Sequence, residues 1–135
     1  MNDFSYKRRI AFHETDAAGI VHYAQYFHLA EEAETHALHL LDKAFPGEGY
    51  LYPRVHVEAD FSAPLHFFEE VLVQPYLLKL GRSSLHWEFR IHGAKGLCAT
   101  VRHIVARRHA ADGSPAPFSP EEAARFATGG LRPDA

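Results

Sequence analysis

One amphipathic stretch governs what this chain can become. From Tyr23 to about Ala44, apolar side chains recur in steps of three and four, at Tyr23, Tyr26, Phe27, Ala30, Ala33, Ala37, Leu40, Leu41 and Ala44. That spacing predicts a helix about 30 Å long with a single apolar stripe. Gln25, His28, Glu32, His36, His39 and Lys43 fall on the opposite, solvated face, and Pro46 with Gly47 stops the helix. A helix with one stripe needs one surface to lie on. The following sequence supplies it. Val55, Val57, Ala59, Phe61 and Ala63 alternate with polar residues, and so do Leu85, Trp87, Phe89 and Ile91. A period of two predicts strands with one buried face. Further strands are expected at 4–12, 70–80 and 97–108. Pro75 calls for an edge position or a bulge, and the turn at Gly93–Gly96 for a hairpin. Short links favour antiparallel pairing. Ser119, Pro120 and the two glutamates that follow make the cap and first turn of a short helix ending near Ala127. The expected fold class is α+β: a single domain over residues 1–128, one long helix wrapped by a mainly antiparallel sheet of about five strands. Residues 129–135 are expected to fray.

Composition excludes several classes. At 135 residues the chain is one domain's worth, and 47% apolar with 23% charged residues is a globular balance. No apolar run approaches 18 residues, so no membrane insertion is expected. The opening MNDFSYKRRIAF has no apolar core of a secretory signal. The one cysteine, Cys98, permits no intrachain disulfide and fits a reducing cytoplasm. It reads as a small buried hydrophobe. A net charge of −3 argues against a nucleic-acid partner.

The chemistry is concentrated in HETDAAGIVHYAQYFHLAEEAE, residues 13–34. Asp16 lies just upstream of the long helix. A helix start offers unpaired N–H groups and the positive end of a dipole, which can hold an oxyanion. A carboxylate beside it can act as nucleophile or general base on a carbonyl held there. Ala18 and Gly19 would let a ligand approach the backbone. The structural alternative is that Asp16 only caps the helix or makes an Asx-turn. Glu31 borders the apolar stripe and reads mainly as a buried hydrogen-bonding group. His28, Glu32, His36 and His39 have spacings that metals use, but no cysteine cluster supports them, and no metal is expected. Arg82 suits a phosphate or a charged sheet edge equally, while Arg102, Arg107 and Arg108 read first as a charged sheet edge. Ser62, Ser83 and Ser84 lack a nucleophile-elbow context.

The run TDAAGIVHYAQY at 15–26, with Glu31 after it, resembles the signature of the 4-hydroxybenzoyl-CoA thioesterase family. The resemblance continues through VEADFSAPL at 57–65 and LGRSSL at 80–85, and spans about residues 5–108. It implies the hotdog fold and hydrolysis of an acyl-CoA thioester, with coenzyme A as part of the substrate and no further cofactor. Asp16 falls on the family's catalytic carboxylate and the Tyr23 N–H on its oxyanion donor. Arg82 falls in a segment that in some relatives contributes basic side chains to the coenzyme A phosphates, and Gly19, His22, Tyr26, Phe61, Ser62 and Ser83 are the further substrate contacts expected here. The family forms dimers or tetramers with shared sites, which matches the exposed strand edge that one sheet around one helix leaves. There are departures. His22 precedes Tyr23 where some relatives have the reverse order, and LHFFEEV follows Pro64 where relatives often have a glycine and an aspartate. Phe67 and Phe68 are therefore expected to reshape the acyl or pantetheine channel. The alternatives are a non-catalytic acyl-CoA-binding module and a hotdog hydratase or dehydratase.

Overall fold

A computed structural model describes residues 4–42 and 47–133. Ala44 and Pro46, expected at the end of the long helix, lie outside the described residues. Strand β1 (Tyr6–Arg9) leads through a short 3-10 turn (Phe12–Glu14) to helix α1 (Gln25–Leu41). Five elements follow: β2 (Tyr50–Leu51), β3 (Arg54–Phe61), β4 (Glu70–Leu80), β5 (Ser84–Gly93) and β6 (Gly96–Ala106). The chain closes with β7 (Arg108–His109) and α2 (Pro120–Thr128). The main sheet has five strands in the order β1-β4-β5-β6-β3, all antiparallel. A small ribbon of β2 with β7, which the sequence pattern did not mark, is the only other sheet among the described residues.

The helix lies on one face of the sheet, against β1, β4 and β6. Its buried residues are Tyr26, Leu29, Ala30, Ala33, Glu34, Ala37 and Leu38. The stripe is thus rotated from the expected one. Leu29 and Leu38 join it, while Tyr23 and Leu40 are exposed. The sheet contributes Val71, Val73, Leu77, Leu85, Trp87, Phe89, Ile91, Val101 and Val105 to the same core. All four apolar residues predicted for the inner face of β5 are buried. On β3 the same alternation fails to bury: Val55, Val57 and Phe61 are exposed. The reason is position. β3 is the edge strand beyond β6, and the helix packs mainly on β4, β1 and β6, touching β3 at its two ends through Glu34 with Arg54 and Tyr26 with Phe61.

Pro75 is not on an edge strand, because β4 sits between β1 and β5. Pairing with β1 ends at Val73, two residues before it, and a register shift follows between Leu77 and Lys79. The predicted cap of α2 is present: the Ser119 side chain accepts from the Glu122 N–H, and the Glu122 carboxylate accepts from the Ser119 N–H. The tail is not frayed where described. Leu131 is fully buried, and its carbonyl accepts from Leu77 N–H at 2.8 Å.

Candidate active site

The start of α1 is built by the segment that precedes it. Asp16, the turn after it and the return at Ile20–His22 form a tight loop. Asp16 N–H donates to Ile20 O at 2.9 Å, Gly19 N–H to Asp16 O at 3.0 Å, and Ala18 N–H to Asp16 Oδ1 at 2.8 Å. The last contact is an Asx-turn, so the carboxylate does what the structural alternative required. The residue remains exposed, however, and lines the cleft beside it. Gly19 has φ +79, and a Cβ there would meet nothing within 4 Å. Its glycine serves the left-handed turn.

The helix begins two residues later than expected. His22 and Tyr23 precede it in an open turn, in which Gln25 N–H donates to His22 O at 2.9 Å and Tyr26 N–H to Tyr23 O at 3.3 Å. The His22 ring accepts the Ala24 N–H on Nδ1 at 3.2 Å, which places the proton of the neutral imidazole on Nε2. The Tyr23 N–H bonds to nothing among the described residues. It is one of the orphan donors that a helix start leaves.

These groups face one cleft of about 450 Å³, lined by Asp16, Ile20, Val21, His22, Tyr23, Tyr26, Phe61, Ser62, Ala63 and Pro64. Tyr26 and Phe61 meet edge to face with ring centres 5.0 Å apart, an aromatic wall. Burial raises the Tyr26 phenol above its ordinary pKa, so it stays protonated; its hydroxyl oxygen accepts the Leu65 N–H at 3.3 Å. Ser62 is held by its N–H to Cys98 O at 2.7 Å. Six of the predicted residues therefore come together: Asp16, His22, Tyr23, Tyr26, Phe61 and Ser62. Ile20, Val21, Ala63 and Pro64 complete the walls, and no spacing pattern singles them out.

Other predicted groups lie elsewhere. Arg82 and Ser83 sit in the β4–β5 turn, beyond Leu80, which is the far end of the sheet from Phe61. Their carbonyls accept from Phe118 and Arg107 N–H groups at 2.9 and 2.8 Å. Arg107 is buried and bonded twice to Glu122, so it is not a free phosphate ligand. Arg102 joins Glu88 on the outer face of the sheet at 3.0 Å. Phe67 and Phe68 do not line the cleft. They pack with Phe12 as an exposed aromatic cluster, where Phe68 has a left-handed backbone at φ +65. Glu31 is exposed, and the buried helix glutamate is Glu34, one turn further on, in an ion pair with Arg54. Among the described residues no three histidine, cysteine or carboxylate side chains gather as a metal site, and no helix is long and apolar enough to cross a membrane.

The fold and the placement of this cleft at a helix start define a class, the hotdog proteins. The chain belongs to the thioesterase superfamily, whose family model matches residues 18–100. The match begins two residues after Asp16. A 1,4-dihydroxy-2-naphthoyl-CoA hydrolase of Synechococcus sp. (strain CC9311) is 31% identical over 112 residues, 73% of this chain and 74% of that one. Another of the same name from Rippkaea orientalis is 32% identical over 118 residues, 82% and 81% of the two chains. Among solved structures, a 1,4-dihydroxy-2-naphthoyl-CoA thioesterase from Synechocystis superposes with a TM-score of 0.81 at 22% identity, over 93% of this chain and 96% of that one. A gentisyl-coenzyme A thioesterase superposes at 0.80 with 25% identity, over 90% and 98%.

Proposed function

We propose that this protein hydrolyses the thioester of an aryl-CoA to the free acid and coenzyme A. One observation carries the reading: the cleft combines an exposed carboxylate, Asp16, with the unbonded Tyr23 N–H at a helix start and an aromatic wall of Tyr26 and Phe61. The thioester carbonyl oxygen rests on the Tyr23 N–H, where the helix dipole favours the charge that develops. Asp16 either attacks the carbonyl carbon or takes a proton from the attacking water. Coenzyme A leaves as a thiolate, which needs no dedicated general acid. The names of the relatives support a hydroxylated aromatic acyl group. A bicyclic naphthoyl, a gentisyl and a 4-hydroxybenzoyl group are the members to compare.

The working form in this proposal is a homo-oligomer joined through the β3 edges. Val55, Val57 and Phe61 are exposed along that edge, and Phe61 also lines the cleft. Antiparallel pairing of two such edges runs the Arg54 end of one protomer past the Phe61 end of the other. The sheet end that carries Arg82 is then brought alongside the other protomer's cleft, which is where coenzyme A phosphates would need it.

Thiol release from a panel of aroyl-CoAs and alkanoyl-CoAs tests the reading, with wild type beside Asp16→Asn. The expected result is turnover fastest on an aroyl-CoA and lowered at least 100-fold in the variant, with substrate binding retained. Tight binding without turnover on any substrate would establish an acyl-CoA-binding module instead.

A further inference from the structure

We infer that Arg8 is a positioning residue that ties the Asp16 loop to helix α1. The inference goes beyond the proposed hydrolysis and rests on that reading for its kinetic readout. Arg8 lies on β1 and does not line the cleft. All five N–H bonds of its guanidinium are used. Nε donates to Glu32 Oε1 at 2.7 Å, and Nη1 to Glu14 Oε1 at 2.7 Å and Arg9 O at 2.9 Å. Nη2 donates to Glu14 Oε2 at 2.6 Å and to Glu32 Oε2 at 3.1 Å. One planar fork thus grips two carboxylates, one at the mouth of the loop and one on the helix. Lysine has no such geometry.

Glu14 is the point where the loop opens and closes. Its side chain is almost wholly buried, at 3% exposure, and accepts the Ala11 N–H at 2.7 Å besides Arg8. Its carbonyl accepts the His22 N–H at 3.0 Å. The chain therefore leaves Glu14, passes through Asp16, and returns to Glu14 one residue before Tyr23. Whatever fixes Glu14 fixes both the carboxylate and the oxyanion donor. On the opposite side, Val21 N–H donates to Leu65 O at 2.8 Å, and Ile20 bridges His66. Those contacts hold the loop to the β3–β4 connection. Among the described residues Arg8 is the group that connects it through side chains to α1. Glu32 is completed by the Tyr6 hydroxyl, which donates to Oε1 at 2.8 Å. The Arg8 guanidinium holds the Glu14 carboxyl below the usual range, so the pair stays charged.

A displacement of about 1 Å in a reacting group can cost about 100-fold in rate. Cutting the Arg8 link should therefore reach kcat without reaching substrate affinity. Two full-length variants separate the effects. Glu32→Gln weakens the helix link and leaves buried Glu14 paired, so it keeps the fold. Arg8→Lys keeps the charge and loses the fork. The expected result is a kcat 10- to 100-fold lower in both, on the best aroyl-CoA of the panel, with KM within threefold and melting temperature within a few degrees. Hydrogen exchange at the His22 amide should rise in both variants. Wild-type kcat in Glu32→Gln, or a fall in melting temperature with kcat unchanged, would overturn the inference. Should the wild type hydrolyse no acyl-CoA, the proposed hydrolysis fails alone. Exchange at His22 then decides: faster exchange in Glu32→Gln supports the tie, and unchanged exchange refutes it.

Discussion

Protonation of the buried His103 is expected to destabilise the fold in acid. The residue lies on the inner face of β6, opposite Val57 on β3 and Trp87 on β5. It is 2% exposed, and neither ring nitrogen has a hydrogen-bond partner among the described residues. Phe27 and Phe89 pack against it with ring centres 6.1 and 5.4 Å away. Burial, with a smaller contribution from Arg54, lowers its pKa from the ordinary 6.5 to about 4. In the unfolded chain His103 takes its proton near pH 6.5. Between that pH and about 4 the unfolded state binds more protons, so stability falls as pH falls through the window. At about 1.4 kcal/mol for each pH unit, the loss is about 3 kcal/mol. His103→Leu nearly conserves volume and removes the unbonded nitrogens. Urea unfolding of wild type and variant at pH 7 and pH 4 is the assay. Other groups titrate in both proteins and cancel in the difference. The wild type should lose about 3 kcal/mol more than the variant between the two pH values. Parallel losses would mean that the buried imidazole is either hydrated or already charged, and the reasoning would fail.

Two further outcomes follow from the charge pairs. Arg107→Met should destabilise the protein by about 3–5 kcal/mol in thermal or urea unfolding, because it strips two bonds from Glu122 and two from the carbonyls of Ala116 and Pro117. An effect below about 1 kcal/mol would show the pair to be solvated. Burial raises the Glu34 carboxyl from its ordinary 4.5 to about 7 despite the Arg54 ion pair. The native state then keeps a proton that the unfolded chain loses, so stability falls as pH rises between these values. Glu34→Gln should flatten that slope by up to about 3 kcal/mol, measured by urea unfolding at pH 4.5 and 7.5. An unchanged slope would show the carboxylate to be ionised throughout.

Periodicity reveals partners only for residues that have them within the chain. The β5 alternation was legible in full and the α1 stripe in part, at Tyr26, Ala30, Ala33 and Ala37, because both faces of that contact lie in one protomer. β3 alternates just as cleanly, yet Val55, Val57 and Phe61 stay exposed, since alternation reports a strand and not its place in the sheet order. Tyr23 fits the helical spacing but sits in the turn before α1, because the bonds of the loop to Glu14 and Leu65 set where the helix can start. Asp16, His22, Tyr26, Phe61 and Ser62 were found together through motif resemblance, and three of them lie within eleven residues of one another. The motif does not show which end of the sheet Arg82 occupies, and within one chain it lies at the end away from Phe61. The Arg8–Glu14–Glu32 cluster joins three separate elements and leaves no local pattern.

The β3 edge offers the sharpest test of whether a second protomer contributes to the site. A strand with open hydrogen-bonding groups and exposed valines is a surface that monomeric proteins usually protect with charge or proline. Here Val57 stands at the middle of the edge and is 47% exposed. A lysine there costs a lone chain little, because the side chain is already half in water, and it places a charge where two edges would meet. Light scattering of the wild type should give at least twice the chain mass of 15.2 kDa. Val57→Lys should give the single-chain mass with an unchanged circular dichroism spectrum. Thiol release should fall in the same variant, although Val57 does not line the cleft. A wild type that is already monomeric and fully active would refute the shared site. Assembly unaltered by Val57→Lys would move the interface to another face, because the two edges could not then approach closely enough to pair.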